Sequence, residues 1–168
     1  MDNNSRSALM AAVSMGHEKT VSLLLFWGCA VDSMDGDGRT VLCLAAAQGN
    51  AEVVRQLLDR GMDEAHRDNG GWTPIHYGAY EGHAEVVDIL LDAAAKPDEV
   101  DNDGRSALHL ASQEGHMDVV KTLLKHGASV DLKAHDGRTA LRIAASEGYK
   151  DLVSVLIDNK ADVNYKVK

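Results

Sequence analysis

Large aromatic side chains are scarce in this sequence: phenylalanine, tryptophan and tyrosine together make up 4% of its 168 residues. A thick core of stacked rings is therefore excluded. The hydrophobic residues, 45% of the chain, are mainly alanine, valine, leucine and isoleucine. Small and aliphatic side chains of this kind suit thin helical layers better than a broad sheet.

Cysteine is almost absent, with Cys29 and Cys43 as the two examples. Neither lies in a CxxC pair or among regularly spaced histidines, which excludes a disulfide framework and a zinc site of the usual spacing. Both occupy small-residue positions, which predicts inert thiols packed against neighbouring side chains. A chain with so little cysteine fits a reducing, cytoplasmic compartment.

Basic residues and long apolar runs are also lacking. Lysine and arginine number 17 against 26 aspartates and glutamates, for a net charge of −9. This excess repels nucleic acid and anionic lipid, so neither is expected as a partner. No apolar run approaches the roughly 20 residues that span a bilayer, and the first residues show no secretory pattern. We expect a cytoplasmic protein without membrane insertion.

What the sequence does contain is a repeat. A glycine recurs every 33 residues, at Gly16, Gly49, Gly82, Gly115 and Gly148. A hydroxyl residue recurs at the same interval, at Ser7, Thr40, Thr73, Ser106 and Thr139. This self-similarity predicts one domain over 1–168, made of five units at approximately 2–34, 35–67, 68–100, 101–133 and 134–166.

Each repeated residue has a structural role. The hydroxyl residue precedes an apolar stretch, where its oxygen can cap a first helix. The repeated glycine ends that helix with a positive φ. A second helix follows, with apolar residues on one face as in Val86, Val87 and Leu90. Runs such as 35–38 are rich in aspartate and glycine, which predicts hairpin turns between units.

The segment Gly71-Trp72-Thr73-Pro74-Ile75-His76, followed by Gly82-His83, resembles the signature of the ankyrin repeat family. The resemblance implies an all-α solenoid of five 33-residue helix-turn-helix units joined by β-hairpin fingers. It also implies a protein-binding module rather than an enzyme, with stability arising from stacked neighbours. Ala94 and Lys160 stand where a helix-ending glycine is usual in the family, and the segment Ala94-Ala95-Lys96-Pro97 predicts a shifted third finger.

A closer resemblance is to long-array ankyrin scaffolds of endosome-to-plasma-membrane recycling. It rests on segments 24–28, 38–42, 47–50, 57–61 and 66–68. The resemblance implies a fragment of a larger trafficking adaptor, associated with endosomes and with sorting-nexin and retromer machinery. The alternative is an engineered or purely structural solenoid without an evolved partner.

Catalytic, cofactor and metal motifs are not found. GxxxxGK[ST], GxSxG and HExxH do not occur, so neither an enzyme nor a cofactor is predicted. His83 and His116 occupy one repeated place and His76 and His109 another, which indicates structural roles and no metal. The segment 101–104 hints at a calcium loop, but Leu110 stands where a bidentate glutamate is required.

Positions that vary between units predict where a partner binds. In ankyrin repeats the partner lies against the finger tips and the exposed sides of the first helices, here called the concave face. Before the capping residue stand Arg6, Arg39, Trp72, Arg105 and Arg138. Around the repeated glycine the candidates are Tyr80, Glu81 and Gln113.

Trp72 and Tyr80 are the expected centre of this site, because aromatic residues flanked by arginine are enriched in binding hot spots. Arg39 and Arg105 are expected to donate charge-assisted hydrogen bonds to an acidic or C-terminal peptide segment. The alternative is that arginines and glutamates on this face pair with one another as solvated ion pairs, worth at most roughly 1 kcal/mol each.

Phe26 and Trp27 stand where the other units carry mostly polar residues. Paired exposed aromatics predict an outer-face or end contact, either a docking patch or end-to-end self-association. The chain also stops near Asn164, where another finger is expected to begin. Both ends are therefore expected to be cuts in a longer array.

Overall fold

The computed structural model describes residues 7–166, so Arg6, Val167 and Lys168 lie outside the described part. Within it the chain forms ten α-helices and no regular strand, which confirms the all-helical class. The helices are α1 Ala8–Ser14, α2 Glu18–Phe26, α3 Val41–Gln48, α4 Ala51–Asp59, α5 Pro74–Glu81, α6 Ala84–Asp92, α7 Ala107–Glu114, α8 Met117–Lys125, α9 Ala140–Glu147 and α10 Lys150–Asp158. Between residues 7 and 166 no helix is long and apolar enough to cross a membrane.

The first helices α1, α3, α5, α7 and α9 begin 33 residues apart. Each follows the predicted hydroxyl residue, which stands at the N-cap in extended conformation. The side chain of Thr40 accepts from the backbone N–H of Cys43 at 3.4 Å. This bond satisfies a donor that the first turn leaves free, as the sequence predicts.

The helices form two layers. Each first helix packs against the next first helix and against the second helix that follows it, and α2, α4, α6 and α8 pack in sequence behind. Leu57, Leu90, Leu123 and Leu156 project from the second helices and are fully buried. The buried side chains form one continuous core, because each helix pair covers the apolar face of its neighbour.

The connections between helix pairs are tight turns. The N–H of Asp101 donates to the carbonyl of Arg105 at 2.9 Å, and the same bond recurs in the other three connections. Single antiparallel bridges join Met34 to Thr40 and Val100 to Ser106. Neighbouring turns are bonded to each other, for example from the N–H of Asn102 to the carbonyl of Gly70 at 3.1 Å. These bonds hold the turns in a row.

The third connection keeps the register of the others, so the predicted shift at Ala94 is wrong. Ala94 adopts φ 79°, within the range of Gly61 and Gly127 at the same place. The N–H of Ala95 then donates to the carbonyl of Leu90, as in the neighbouring pairs. Alanine accepts this left-handed conformation at a cost of about 1 kcal/mol.

Gly82 ends α5 with φ 83°, which confirms the predicted left-handed turn between the two helices of a pair. A Cβ at this position would lie 2.7 Å from Nδ1 of His116 in the next pair. Glycine is therefore required here for both the backbone conformation and the close approach of a neighbour.

Gly82→Val is expected to destabilise the protein by roughly 4 kcal/mol or to prevent folding, because strain and a steric clash coincide. Gly36→Ala is expected to be nearly neutral, since Gly36 has no positive φ and open space around it. Gly16→Val is the matched control, with a φ of 70° but no neighbour within 4 Å. Urea unfolding with equal midpoints for Gly82→Val and Gly36→Ala would contradict the turn assignment.

Candidate partner-binding face

The structure brings the two predicted aromatic residues together. The ring centroids of Trp72 and Tyr80 lie 5.4 Å apart, and the indole also contacts the ring of Tyr77 at 5.0 Å. Trp72 is half-buried, and Tyr80 at the end of α5 is 36% exposed. These rings form an aromatic cluster on the first-helix layer, midway along the array.

A carboxylate in the next turn holds Trp72 in place. The indole Nε1–H donates to Oδ2 of Asp101 at 3.1 Å. Asp101 is itself fixed, because its other oxygen, Oδ1, accepts from the backbone N–H groups of Asp103 and Arg105 at 2.9 Å each. Trp72 is thus tied to the following helix pair by a buried acceptor.

Tyr77 belongs to this cluster but was missed by the sequence analysis. Its hydroxyl donates to Oδ2 of Asp68 at 2.5 Å. In two neighbouring turns the equivalent aspartate oxygen is bonded by an arginine, Arg39 or Arg105. Trp72 stands at the place of that arginine here, and the hydroxyl of Tyr77 bonds the oxygen instead. Burial and the bond to Asp68 raise the pKa of Tyr77 well above its ordinary value. A signal existed, since Ala, Leu or Ile fills this repeated place in the other units.

The predicted arginines face aspartates of their own turns. Nη2 of Arg39 lies 2.8 Å from Oδ2 of Asp35 and 3.2 Å from Oδ2 of Asp37. Burial opposes ionisation of Asp35, but hydrogen bonds from Arg39 hold the pKa of Asp35 below its ordinary value. Arg39 is thus paired with aspartates of its own turn, not with the glutamates that the sequence suggested as partners.

Arg105 repeats this arrangement one turn beyond Trp72. Its Nη2 lies 2.8 Å from Asp101 and 3.1 Å from Asp103. Burial opposes ionisation of Asp101, yet hydrogen bonds from Arg105 keep its pKa below the ordinary value. The guanidinium groups of Arg39 and Arg105 are therefore bonded within their own turns.

Three of the predicted residues line one surface cavity of about 230 Å³. Arg105, Gln113 and Arg138 surround it together with His135 and Ile143. Nε of Arg138 lies 2.5 Å from Oδ2 of Asp136.

Two predicted residues lie apart from this cavity. Arg39 is not among its lining residues, and Glu81 stands exposed at the end of α5. The predicted residues thus form a row along the array rather than one convergent pocket.

The repeated histidines connect neighbouring helix pairs. Nδ1 of His76 accepts from the N–H of Thr73 at 3.1 Å, so Nε2 carries the proton that bonds the carbonyl of Arg105. His109 makes the equivalent bonds one unit later. His116 Nε2 lies 2.8 Å from the carbonyl oxygen of Tyr80. These contacts account for the repeated histidines as structural elements.

One group among residues 7–166 has the composition of a metal site: Asp88, Asp92 and His126, with ligand atoms within 4.8 Å of one another. Nε2 of His126 lies 2.7 Å from Oδ1 of Asp88. Two ligands of a tetrahedral zinc ion stand about 3.3 Å apart. The 2.7 Å between Nε2 of His126 and Oδ1 of Asp88 is shorter and is the length of a direct hydrogen bond. This bond links the end of α8 to α6.

Stacked helix pairs with bonded turns define a helical repeat protein. The sequence profile described as "Ankyrin repeats (3 copies)" matches residues 9–101 and 93–167. The chain belongs to the ankyrin repeat family, whose members generally act as protein–protein interaction modules. No curated protein matches the sequence, so the likeness to endosomal scaffolds rests on the quoted segments alone.

The buried histidines predict a pH dependence of stability. Burial lowers the pKa values of His76 and His109 in the folded protein, whereas the unfolded chain binds protons near pH 6.5. The unfolded state therefore gains protons as the pH falls, and stability is expected to drop from pH 7.5 to 5.5 by at most about 1.4 kcal/mol per buried histidine.

Urea denaturation at the two pH values measures this loss. His76→Gln combined with His109→Gln is expected to lower stability at pH 7.5 but to reduce the further loss at pH 5.5. The exposed His17→Gln variant is the matched control. An unchanged pH dependence in the double variant would show that these two side chains are not its source.

Proposed function

We propose that this chain is a protein-interaction module that binds a protein or peptide segment on its concave face, centred on Trp72 and Tyr80. The observation that carries the proposal is the aromatic cluster, in which the half-buried indole of Trp72 is held by the buried carboxylate of Asp101 beside the exposed ring of Tyr80. Aromatic side chains fixed before binding lose little conformational freedom on association. Such a cluster is suited to anchor a partner.

The module consists of five ankyrin repeats in a single domain over 1–168, with the boundaries given above and hairpin fingers between repeats. Support comes from first helices that begin at a constant interval and from the backbone bonds between adjacent turns. Arg39, Arg105 and Arg138 form the finger side of the binding face, and Glu81 and Gln113 form its helix side.

A place within a larger scaffold or trafficking adaptor, cytoplasmic and associated with endosomes, stays a prediction from the sequence. The alternative function is an engineered or purely structural solenoid without an evolved partner. These two differ in a measurable way, since an evolved binding face retains a partner through its aromatic cluster whereas a structural solenoid retains none.

Trp72→Ala and Tyr80→Ala are each expected to abolish retention of a partner from a cell extract. On the identified partner, calorimetry is expected to show a loss of about 2 kcal/mol for Trp72→Ala, close to 30-fold in Kd. Ile157→Ala truncates an exposed apolar side chain of α10, away from the cluster and from the first helix pair, and is the control. If both truncations on the concave face proved silent, the central site would be wrong.

The first helix pair exposes a second apolar surface. Phe26 and Trp27 are 78% and 77% exposed, and their rings meet edge to face at 5.7 Å. Met15 and Leu23 of the same pair are 70% and 56% exposed. Adjacent apolar groups of this size favour contact with another surface. We propose that copies of the chain associate end to end through this first helix pair.

Phe26→Asp combined with Trp27→Arg is expected to make the protein more monomeric, because Asp59 and Arg60 occupy these places in the next pair. Light scattering at high concentration is expected to show the mass fall towards the 18.0 kDa of one chain. Circular dichroism is expected to show unchanged helix content, since both side chains are exposed. A parent protein that is already monomeric would remove the proposal.

A further inference from the structure

Arg39 and Arg105 do not make the concave face basic. Arg39 and Arg105 each lie within 3.2 Å of two aspartates, so each of these turns retains one excess negative charge. Asp37 and Asp103 project from the turns with side chains 75% and 73% exposed. The cationic groups are thus the inner members of these clusters, and carboxylates form their outer edge.

The first helices add charge of the same sign. Glu81, Glu114 and Glu147 occupy the last positions of α5, α7 and α9. Among residues 7–166 no lysine, arginine or histidine nitrogen forms an ion pair with these three glutamates. Arg142 is the one cation within the five described first helices. A line of carboxylates therefore accompanies the line of exposed finger aspartates.

The aromatic cluster lies between these two lines. Trp72 follows the turn that contains Asp68, and Tyr80 precedes Glu81 in α5. The faces of tryptophan and tyrosine rings attract ammonium and guanidinium groups, the more strongly where carboxylates lie close by. Both the rings and their surroundings therefore favour a cation over an acidic segment.

We infer that the partner segment on the concave face is basic, with lysine or arginine side chains over Trp72 and Tyr80 and beside Asp103 and Glu114. This inference rests on the proposed function, since it names the chemistry of the partner at the same site. It reverses the charge of the acidic or C-terminal segment that the sequence predicted as a partner of Arg39 and Arg105. Complementary potentials of this kind chiefly set association rate and specificity.

The test uses a capped 12-residue peptide with lysine at alternate positions and its counterpart with glutamate instead. Each is titrated into the Trp27→Phe variant, in which Trp72 is the remaining tryptophan and reports binding by fluorescence. The lysine peptide is expected to bind at 50 mM salt and to weaken about tenfold by 200 mM, because salt screens charge pairs at this surface. The glutamate peptide is expected not to bind.

Matched neutralisations locate the charges. Asp103→Asn with Glu114→Gln is expected to weaken the lysine peptide several-fold. Asp59→Asn with Asp158→Asn removes the same charge from exposed ends of second helices and is expected to leave affinity unchanged. Equal weakening by both pairs would mean general attraction to a chain of net charge −9, and would overturn the inference.

The remaining outcomes separate this inference from the proposed function. Failure of the lysine peptide to bind at 50 mM salt, or tighter binding of the glutamate peptide, overturns the basic partner. If Trp72→Ala still abolishes retention of the natural partner in that case, the concave face stands and its charge preference is wrong. If Trp72→Ala is silent there as well, the proposed face itself is wrong.

Discussion

The burial of one helix pair against the next is the constraint on which the rest of this structure depends. A single pair of seven- to nine-residue helices has too little apolar surface to fold alone. Leu90 in α6 is fully buried because neighbouring pairs cover it. Stacking at a constant interval then places equivalent residues in rows. A binding face on such a protein is consequently a line of positions rather than a pocket.

The carboxylate of Asp101 links this architecture to the candidate site. It accepts hydrogen bonds from two backbone N–H groups of its own turn, from the guanidinium of Arg105 and from the indole N–H of Trp72. The same side chain therefore shapes a finger, neutralises an arginine and positions an aromatic ring from the preceding unit. Buried acceptors that satisfy several donors at once favour a single arrangement of the groups around them. The position of Trp72 on the proposed binding face therefore depends on this one residue.

Much of the fold could be predicted because its determinants are local. Thr40 caps α3, and Gly82 reverses the chain with a positive φ, both through interactions within a few residues. The shifted third finger was a wrong prediction, since Ala94 adopts the left-handed conformation that glycine takes in the neighbouring pairs, and the N–H of Ala95 then bonds Leu90 as usual. The site was less predictable, as the bond between Tyr77 and Asp68 spans a turn and depends on how α5 is seated.

By itself the sequence determined the repeat, the helix boundaries and the positions that vary on the exposed face, because these follow from spacing and local backbone chemistry. Only the tertiary structure decided which charges are already matched. The sequence left open whether Arg39 and Arg105 are free cations or pair with glutamates, but the turns place two aspartates within 3.2 Å of each. The interaction between two charges weakens as the distance between them grows, and folding sets that distance.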